Sequence, residues 1–328
     1  MTAASVADYL RSRGVIDGEA TARELAGGIS NIVLRVDGPA PGFVVKQALE
    51  VLRVQQRWEF DRARIFTERR CMEVLAQLLG PDDVPSVVDH DDEAFAFTMT
   101  AAPESGMTWK SELLRGEVRL GVAERVGRLL GQLQARSAGD ALIADEFDNL
   151  MPLEQGRIEP YHLSAARFHA DLEDAIAADI QRLRTNRRVL VLGDYSPKNI
   201  LVFPSDQVIL LDFEVAHWGD PAFDPAFALT HLVLKEVRRP ETAPEYRAAR
   251  HALWNAYEAA GGLASIQDVA SEMAVLMLCR VDGKSPAEYL LAEKRAFVRA
   301  QSRRLIRTPD KTLADFDDLA DRWRLENI

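Results

Sequence analysis

Three polar side chains near the middle of the chain have the types and the spacing that phosphoryl transfer requires. Asp194 and Asn199 are five residues apart, and Asp212 follows the next apolar run of the sequence. Transfer from ATP needs a carboxylate that orients the acceptor hydroxyl, and oxygen ligands for the Mg²⁺ that bridges the phosphates. We therefore predict that Asp194 is the catalytic base or hydroxyl orienter and that Asn199 and Asp212 are the metal ligands.

A simpler interpretation gives the same residues local structural roles. Asp194 would begin a turn that contains Pro197. Asn199 would cap this turn, and Asp212 would end a strand. Either carboxylate alone fits this interpretation as well as the catalytic one, but the ordered set with its spacing favours catalysis. A hairpin-like connection over residues 200–211 would bring Asp212 back beside Asn199.

The segments around these residues carry further motifs. They read Gly193-Asp194-x-x-Pro197-x-Asn199-Ile200-Leu201, then Asp212-Phe213-Glu214, then Gly219-Asp220-Pro221-x-x-Asp224. The set resembles the aminoglycoside phosphotransferase and choline kinase superfamily over about residues 22 to 290, and the catalytic-loop portion is the most specific part. This resemblance implies a protein-kinase-like fold, ATP as the phosphate donor and Mg²⁺ as the cofactor.

Two positions depart from the family pattern. The family usually has a histidine before the Gly-Asp pair, where this chain has Leu192, and a glycine after the Asp-Phe pair, where it has Glu214. Because that histidine is not the base, its replacement is expected to change only the degree of activity. Glu214 is a candidate for an additional metal ligand or for a group that supports one.

The resemblance and the order of predicted elements indicate an α+β, protein-kinase-like fold with two lobes. Residues 1–102 are expected to form a small, β-rich nucleotide-binding lobe. Residues 103–328 are expected to form a larger, mainly helical lobe with the catalytic loop and the acceptor site. This division follows from short apolar runs between turn residues in the first hundred positions and helical periodicity from Glu117 onward.

The individual elements are predicted from apolar periodicity and turn residues. Strands are predicted at residues 24–25, 32–36, 43–46, 87–88, 95–99, 189–192 and 208–211, and helices within 57–79, 118–136 and 164–184. Asp220 and Asp224 are expected to brace the catalytic loop and to cap the helix that follows.

Lys46 ends a predicted strand at the position where a protein-kinase-like sheet carries the lysine that contacts the ATP phosphates. Its usual partner is a glutamate on a helix; we choose Glu68, with Glu59 and Glu73 as competitors. On burial statistics alone, a lysine and a glutamate this far apart in sequence are more often solvated surface residues. The strand position and the resemblance favour the functional interpretation, more for Lys46 than for Glu68.

The segment Gly27-Gly28-Ile29-Ser30-Asn31 lies between two predicted strands and fits a loop that covers the nucleotide. Its glycines permit close approach of the backbone to phosphate oxygens, so Gly28, Ser30 and Asn31 are predicted to bind ATP. The segment matches neither a Walker A nor a G-x-G-x-x-G motif, and taken alone it favours an ordinary hairpin turn.

The adenine ring is expected to lie against Val44 and Leu201, near the connector between the lobes. Backbone groups at Met99 and Ala101 in this connector are predicted to bond the base. The same N-terminal lobe, over residues 45–63, is similar to the methylthioribose kinases, a family of sugar kinases.

The acceptor site is the least defined part of the sequence. Methylthioribose kinases tend to present paired arginines in the C-terminal lobe, whereas the comparable segment here carries one, Arg280, so a different acceptor is expected. Arg280, Asp282 and Trp218 are candidate acceptor-binding residues. The alternative for Arg280, which helix-end preferences favour, is a helix terminus with Gly283 as its stop.

Charge and composition exclude several other functions. The 328 residues carry a net charge of −11, so neither nucleic acid nor an anionic membrane surface is an expected partner. The N-terminus lacks a secretory pattern, no apolar run approaches a membrane span, and the two cysteines have no metal-ligand or redox spacing. We expect a cytoplasmic protein with free thiols, either a monomer or a homodimer.

These observations predict a kinase that phosphorylates a hydroxyl of a sugar, amino sugar, aminoglycoside or amino alcohol. The alternative is a nucleotide-binding pseudokinase with a scaffold or regulatory role, suggested by Leu192 and Phe213-Glu214. The retained Lys46 and Asp194 argue against it. Protein kinase activity is a weaker hypothesis, because no activation segment separates Asp212 from the helices.

Overall fold

The computed structural model describes residues 1–25, 30–38, 42–49 and 61–326, and the chain divides into two units. The N-terminal unit comprises Met1–Gly106 together with Ile209–Val215, and the C-terminal unit comprises Met107–Val208 with Ala216–Ile328. The segment that carries Asp212 therefore belongs to the N-terminal unit, although it follows Asp194 in sequence.

A five-stranded antiparallel sheet forms most of the N-terminal unit, in the spatial order β1-β2-β3-β5-β4. The elements are α1 (Val6–Ser12), β1 (Thr21–Glu24), β2 (Asn31–Asp37), β3 (Phe43–Ala48), α2 (Arg64–Leu78), β4 (Val87–Asp91) and β5 (Ala96–Thr100). The strands predicted at residues 32–36, 43–46, 87–88 and 95–99 are confirmed as β2, β3, β4 and β5.

The central position of β3 explains why it can bury a lysine. Successive side chains of a strand point to opposite faces of the sheet. Val45 packs in a core cluster with Val6 and Leu10 of α1. Lys46, on the other face, bonds to Glu68 of α2. The sheet thus separates an apolar face under α1 from a face that carries the charged groups.

The C-terminal unit is mainly helical. Its elements are β6 (Met107–Thr108), α3 (Trp109–Arg115), α4 (Leu120–Ser137), α5 (Ala141–Glu146), α6 (Met151–Leu153), a π-helix (Glu154–Leu163), α7 (Ser164–Ala166), α8 (Glu173–Thr185), β7 (Val189–Val191), β8 (Ile200–Val202), β10 (His217–Gly219), α9 (Phe223–Arg238), α10 (Ala243–Ala259), α11 (Ile266–Asp282), α12 (Ala292–Arg307) and α13 (Leu319–Glu326). Strand β9 (Val208–Leu210) begins at the last residue of Met107–Val208 and continues into the segment Ile209–Val215 of the N-terminal unit. Strand β7 pairs with β10 and β6 pairs with β8, all antiparallel. Helices α9 and α11 are buried almost along their whole length and form the core.

Close packing between α4 and α10 depends on two glycines one helical turn apart. A Cβ atom at Gly127 would lie 2.0 Å from the carbonyl oxygen of Leu253, and one at Gly131 would lie 2.3 Å from that of Tyr257. No side chain fits at these distances, so the two helix backbones approach each other only because both positions are glycine.

The helix predicted over residues 164–184 is wrong as a single element. It breaks between α7 and α8, where His169 leaves the helical region with φ −138° and ψ 61°. The ring of His169 contacts Asp282 at 2.8 Å and Arg303 at 2.8 Å. The helical spacing of apolar residues continues through the break, so the sequence predicts one uninterrupted helix. The polar contacts of the His169 ring outweigh this local preference, and the apolar spacing gives no indication of them.

The π-helix before α7 contains Pro160. Proline lacks the backbone N–H that an α-helical ladder requires, and wider π turns occur where that ladder is interrupted. No helix within the described ranges is long and apolar enough to span a bilayer.

Candidate active site

Lys46 forms a buried ion pair with Glu68 in the N-terminal unit. Its ammonium group donates to Glu68 Oε1 at 2.7 Å, and both residues are at most 5% exposed. Of the two competitors for this partnership, Glu73 pairs with Arg70 on the surface, and Glu59 lies outside the described residues. The pairing expected from sequence is therefore present in the structure.

The same ammonium group also donates to Asp212 Oδ1 at 2.5 Å. Burial by itself would lower the pKa of Lys46, but the carboxylates of Asp212, Glu68 and Glu214 raise it well above its usual range. Lys46 is thus positively charged at every physiological pH. One cation holds two carboxylates from different parts of the chain.

Asp212 adopts a left-handed backbone conformation with φ +67°. Residues with a Cβ atom rarely occupy this region, and strained backbone of this kind is concentrated at functional sites. The conformation occurs immediately after β9 and before Phe213, whose side chain is buried. The chain therefore turns sharply at the residue whose carboxylate contacts Lys46.

Glu214 is held by two donors from the same unit. Its Oε2 accepts from Asn31 Nδ2 at 2.8 Å and from Arg64 Nε at 3.2 Å. Arg64 also donates to the carbonyl oxygen of Ser30, and the Ser30 hydroxyl contacts Asn31 Nδ2 at 3.0 Å. The predicted nucleotide-loop residues Ser30 and Asn31 are thereby tied to the segment that contains Asp212.

The residues of this region fit a divalent metal. Carboxylate oxygens of Glu68, Asp212 and Glu214 lie within 4.8 Å of one another. Among the described residues, Glu68 Oε2 and Asn31 Oδ1 are buried oxygens without a hydrogen-bond partner. Buried polar atoms in native proteins are nearly always satisfied, and hard oxygen donors are the ligands that Mg²⁺ prefers.

The other predicted nucleotide contacts have mixed outcomes. Met99 lies in β5, and the amide of Ala101 just beyond it donates to the carbonyl oxygen of Gly42 at 2.8 Å. The donor at Ala101 is therefore engaged within the unit, and an adenine base would have to use other backbone groups here. Gly28 lies outside the described residues.

In the C-terminal unit, Asp224 braces the loop that carries Asp194. Its carboxylate accepts from the amides of Leu192 at 2.6 Å and Gly193 at 2.9 Å. Burial raises the pKa of Asp224 to about 7, against the opposing effect of these two hydrogen bonds. The brace acts on the backbone, so it does not depend on the side chain at position 192.

Two cations flank the Asp194 carboxylate. Arg157 approaches Oδ2 at 2.9 Å, and Lys198 approaches the same oxygen at 3.0 Å. Burial alone would raise the pKa of Asp194, but Lys198 and Arg157 hold it well below its usual range. Asp194 is therefore ionised, and Asn199 adds support by donating its amide nitrogen to the Asp194 carbonyl oxygen at 3.2 Å.

Arg157 is a site residue that sequence reasoning missed. It lies in the π-helix, 5% exposed, and its Nε donates to the carbonyl oxygen of Gly193 at 2.6 Å. The guanidinium lies 5.3 Å from the ring centroids of Tyr161 and Phe227. No motif marks it in the sequence, since Gly193 and Asp194, the residues it supports, lie more than 35 residues away.

The three tentative acceptor residues are not together. Trp218 lies on β10, where its amide donates to the carbonyl oxygen of Phe147. Asp282 ends α11 and pairs with Arg299 at 2.6 Å. Arg280 alone lies near Asp194's neighbours, because it donates to the Tyr161 hydroxyl at 3.3 Å.

Sequence comparison finds one matching family and a curated relative. The sequence pattern of the phosphotransferase enzyme family matches residues 21–269. Methylthioribose kinase from Escherichia coli is 26% identical over 291 residues, which cover 77% of this chain and 69% of that enzyme.

Solved structures show the same fold. A choline/ethanolamine kinase family protein from Mesorhizobium loti is 15% identical with a TM-score of 0.50, over 96% of this chain and 99% of that chain. An amicoumacin kinase, in complex with AMP-PNP and Ca²⁺, is 14% identical with a TM-score of 0.54, over 96% of this chain and 93% of that chain. The α+β, protein-kinase-like fold expected from sequence is confirmed.

Proposed function

Because the chain belongs to the phosphotransferase enzyme family, we propose that it transfers the γ-phosphoryl group of ATP to a hydroxyl group of a small molecule. The observation that carries this proposal is the Asp194 carboxylate, which is partly buried, ionised and held by Arg157 and Lys198. The names of the relatives support a small acceptor: methylthioribose kinase and amicoumacin kinase each act on a small molecule. Sugars, amino sugars, aminoglycosides and amino alcohols are the candidate acceptors.

Asp194 has the role of orienting the acceptor hydroxyl. A carboxylate with a lowered pKa is a weak base, so it does not take the proton of a ground-state alcohol. In a loose, metaphosphate-like transition state the hydroxyl becomes acidic late, when its oxygen already bonds to phosphorus. Asp194 then accepts the proton at Oδ, and its main contribution is to hold the nucleophile in line.

In the N-terminal unit, Lys46 is proposed to contact the phosphates and Glu68 to hold it in position. Asp212 and Asn199 are proposed as the Mg²⁺ ligands, with Glu214 as an additional ligand or a support for one. Mg²⁺, when bound, neutralises charge on the phosphate oxygens. Ser30 and Asn31 are proposed to bind the nucleotide. Asn31 donates to Glu214, and the carbonyl oxygen of Ser30 accepts from Arg64, so both are held beside the proposed metal ligands.

The pseudokinase alternative rests on Leu192 and Glu214. Two features of the chain weigh against it. Loop support comes from Asp224 through backbone amides, so a histidine at 192 is dispensable for it. The Glu214 carboxylate accepts hydrogen bonds from Asn31 and Arg64. A chance replacement of glycine by glutamate would not be expected to have two such donors.

Turnover of Mg²⁺-ATP across polyol, amino-sugar, amino-alcohol and sugar-acid libraries tests the proposal. Acceptor-dependent ADP formation that stops when Mg²⁺ is chelated is the expected result. Nucleotide binding by calorimetry without ADP formation for any acceptor would favour the pseudokinase alternative instead.

A further inference from the structure

Two buried basic side chains of the C-terminal unit have no carboxylate partner within 4.0 Å among the described residues. Lys235 on α9 is 1% exposed and makes one hydrogen bond, to the carbonyl oxygen of His231 at 3.3 Å. Arg280 on α11 is 8% exposed and bonds only neutral groups, the Tyr161 hydroxyl and Ser285. An uncompensated buried charge is costly, so such positions need an explanation.

The surroundings of Lys235 are cationic. Burial lowers its pKa well below the usual range, and the charges of Arg280 and Lys110 lower it further, with Glu288 opposing them. Glu288 is itself engaged by Lys110 at 2.6 Å. The carboxylate that acts on this region is therefore already engaged, and no counter-charge is left for Lys235 and Arg280. An anion bound beside Lys235 would oppose the effect of burial and favour its protonated form.

Individual polar atoms in the same region also lack partners among the described residues. In the part of the chain that the structure describes, Arg280 Nε, the Tyr289 hydroxyl and His231 Nδ1 are buried without a hydrogen bond. The Tyr289 ring lies 5.1 Å from the Lys235 ammonium. We name Lys235, Arg280, His231 and Tyr289 the cationic cluster. An unmet hydrogen bond of a buried polar atom destabilises the protein, a cost that a polar ligand removes.

The cationic cluster is connected to Asp194 by direct contacts. Arg280 bonds the Tyr161 hydroxyl, and the Tyr161 ring lies beneath the guanidinium of Arg157, which holds Asp194. On the other side, the ring of His231 contacts Phe227 edge-on at 5.2 Å, and Phe227 also lies 5.3 Å from the Arg157 guanidinium. A small molecule whose hydroxyl lies at Asp194 would therefore have the cluster within its neighbourhood.

We propose that the phosphate acceptor carries an anionic group, a carboxylate or a phosphate, and that Lys235 and Arg280 bind this group while Asp194 receives the hydroxyl. This inference rests on the proposed kinase function and specifies its substrate class. An anion satisfies both cations and the unpaired donors at once, and arginine matches carboxylate and phosphate geometry. A cationic aminoglycoside or amino alcohol meets like charges here and is disfavoured.

Matched acceptor series test the proposal. Glycerate is compared with glycerol, and gluconate and glucose 6-phosphate are compared with glucose and glucosamine, in a Mg²⁺-ATP turnover assay. The expected result is a kcat/KM at least about tenfold higher for the anionic members than for their neutral and cationic counterparts. Comparison of the carboxylates, glycerate and gluconate, with glucose 6-phosphate identifies which anionic group the site binds. The highest turnover with a neutral or cationic member would overturn the proposal.

Thermal unfolding supplies a readout that does not need turnover. Glycerate, gluconate, glucose 6-phosphate and inorganic phosphate, each titrated alone, are expected to raise the melting temperature of the wild-type protein by about 5 °C near a hundredfold excess over Kd. The rise should disappear in Lys235→Met and in Arg280→Met. Lys294→Met is the matched control, because Lys294 also donates to a carbonyl oxygen and faces an aromatic ring but is half-exposed.

A purely structural role for Lys235 and Arg280 would give a different result in thermal unfolding. Without ligand, Lys235→Met should melt no lower than the wild type, since the change removes a buried basic group that has no carboxylate partner among the described residues, at nearly constant volume. A lower melting temperature together with an unchanged anion response would assign Lys235 a structural role and overturn the proposal, as would a wild type that responds to no anion. Calorimetry of the wild type with Mg²⁺-ATP tests the kinase function separately. A wild type that does not bind the nucleotide would contradict the kinase function and would leave the anion site untouched.

Discussion

The guanidinium of Arg157 contacts the Asp194 carboxylate at 2.9 Å while its Nε donates to the carbonyl oxygen of Gly193 at 2.6 Å. One side chain therefore fixes both the carboxylate and the backbone that precedes it. Because Asp224 holds the amides of the same turn, the loop is supported from two directions without a contribution from the side chain of residue 192.

Replacement of Arg157 by Met should change the pH dependence of turnover. Arg157 helps to hold the pKa of Asp194 low, so its removal raises that pKa and moves the acid limb of the kcat profile to higher pH. We also expect kcat to fall about tenfold or more, since the loop loses a support. Arg187→Met is the control, because Arg187 bonds backbone oxygens of the same unit away from Asp194. An unshifted acid limb would contradict the role.

Asp194→Asn should reduce turnover by about a thousandfold while nucleotide binding stays close to the wild-type value. The amide keeps the shape of the side chain but accepts no proton, and it removes the charge that Arg157 and Lys198 face. Steady-state kinetics and calorimetry with Mg²⁺-ATP measure the two quantities. Asp206→Asn, a partly exposed change in the same unit, should leave both unchanged. Normal turnover in Asp194→Asn would refute the catalytic assignment.

Lys46→Met should weaken nucleotide binding and destabilise the protein. The change leaves the carboxylates of Glu68 and Asp212 without their shared cation, and breaking a buried pair costs about 3–5 kcal/mol. Adding Glu68→Gln should restore part of the stability, because one uncompensated charge disappears, but it should not restore nucleotide binding. Urea unfolding and calorimetry separate the two effects. If the single and the double variant lose the same stability, the unpaired charge of Glu68 is not the cause of the loss.

Glu214→Gln tests the carboxylate that replaces glycine. We expect the Mg²⁺ concentration for half-maximal activity to rise by about tenfold, as is typical when a group that supports or provides a metal ligand is changed. ATP binding without metal should be unaffected. Glu104→Gln, an exposed change in the same unit, is the control. If the Mg²⁺ requirement does not change, Glu214 has only the structural contacts with Asn31 and Arg64.

His162 makes the stability of the C-terminal unit depend on pH. Its ring is fully buried and lies 3.3 Å from Glu272 and 3.4 Å from Asp179. Burial alone would lower the pKa of His162, but these carboxylates raise it to about 10, compared with about 6.5 in an unfolded chain. The stabilisation is therefore complete below pH 6.5 and is lost as the pH rises through about 10.

His162→Gln checks this dependence. The difference in unfolding free energy between wild type and variant should be largest below pH 6.5 and should shrink towards pH 10. His251→Gln is the control, because His251 pairs with Asp317 near the surface. A difference that stays constant with pH would show that His162 is neutral in the folded protein.

Local sequence patterns were sufficient for the parts of this protein that depend on neighbouring residues. Short apolar runs between turn residues identified β2, β3 and β5, and the spacing of Asp194 and Asn199 identified the loop, because both patterns occur within a few positions of the chain. The family resemblance extended this to Lys46 and to the choice of Glu68, whose ion pair the structure contains.

The tertiary structure decided everything that joins distant residues. Arg157 reaches Asp194 across 37 positions, and Lys235 and Arg280 come from two helices that meet only in the folded core. The helix break at His169 likewise depends on Asp282. Sequence periodicity records which faces of an element are apolar, but not which charged group from another element lies opposite. The anionic acceptor that we propose therefore rests on the tertiary structure alone, because it depends on two buried basic side chains without a carboxylate partner in the described part of the chain.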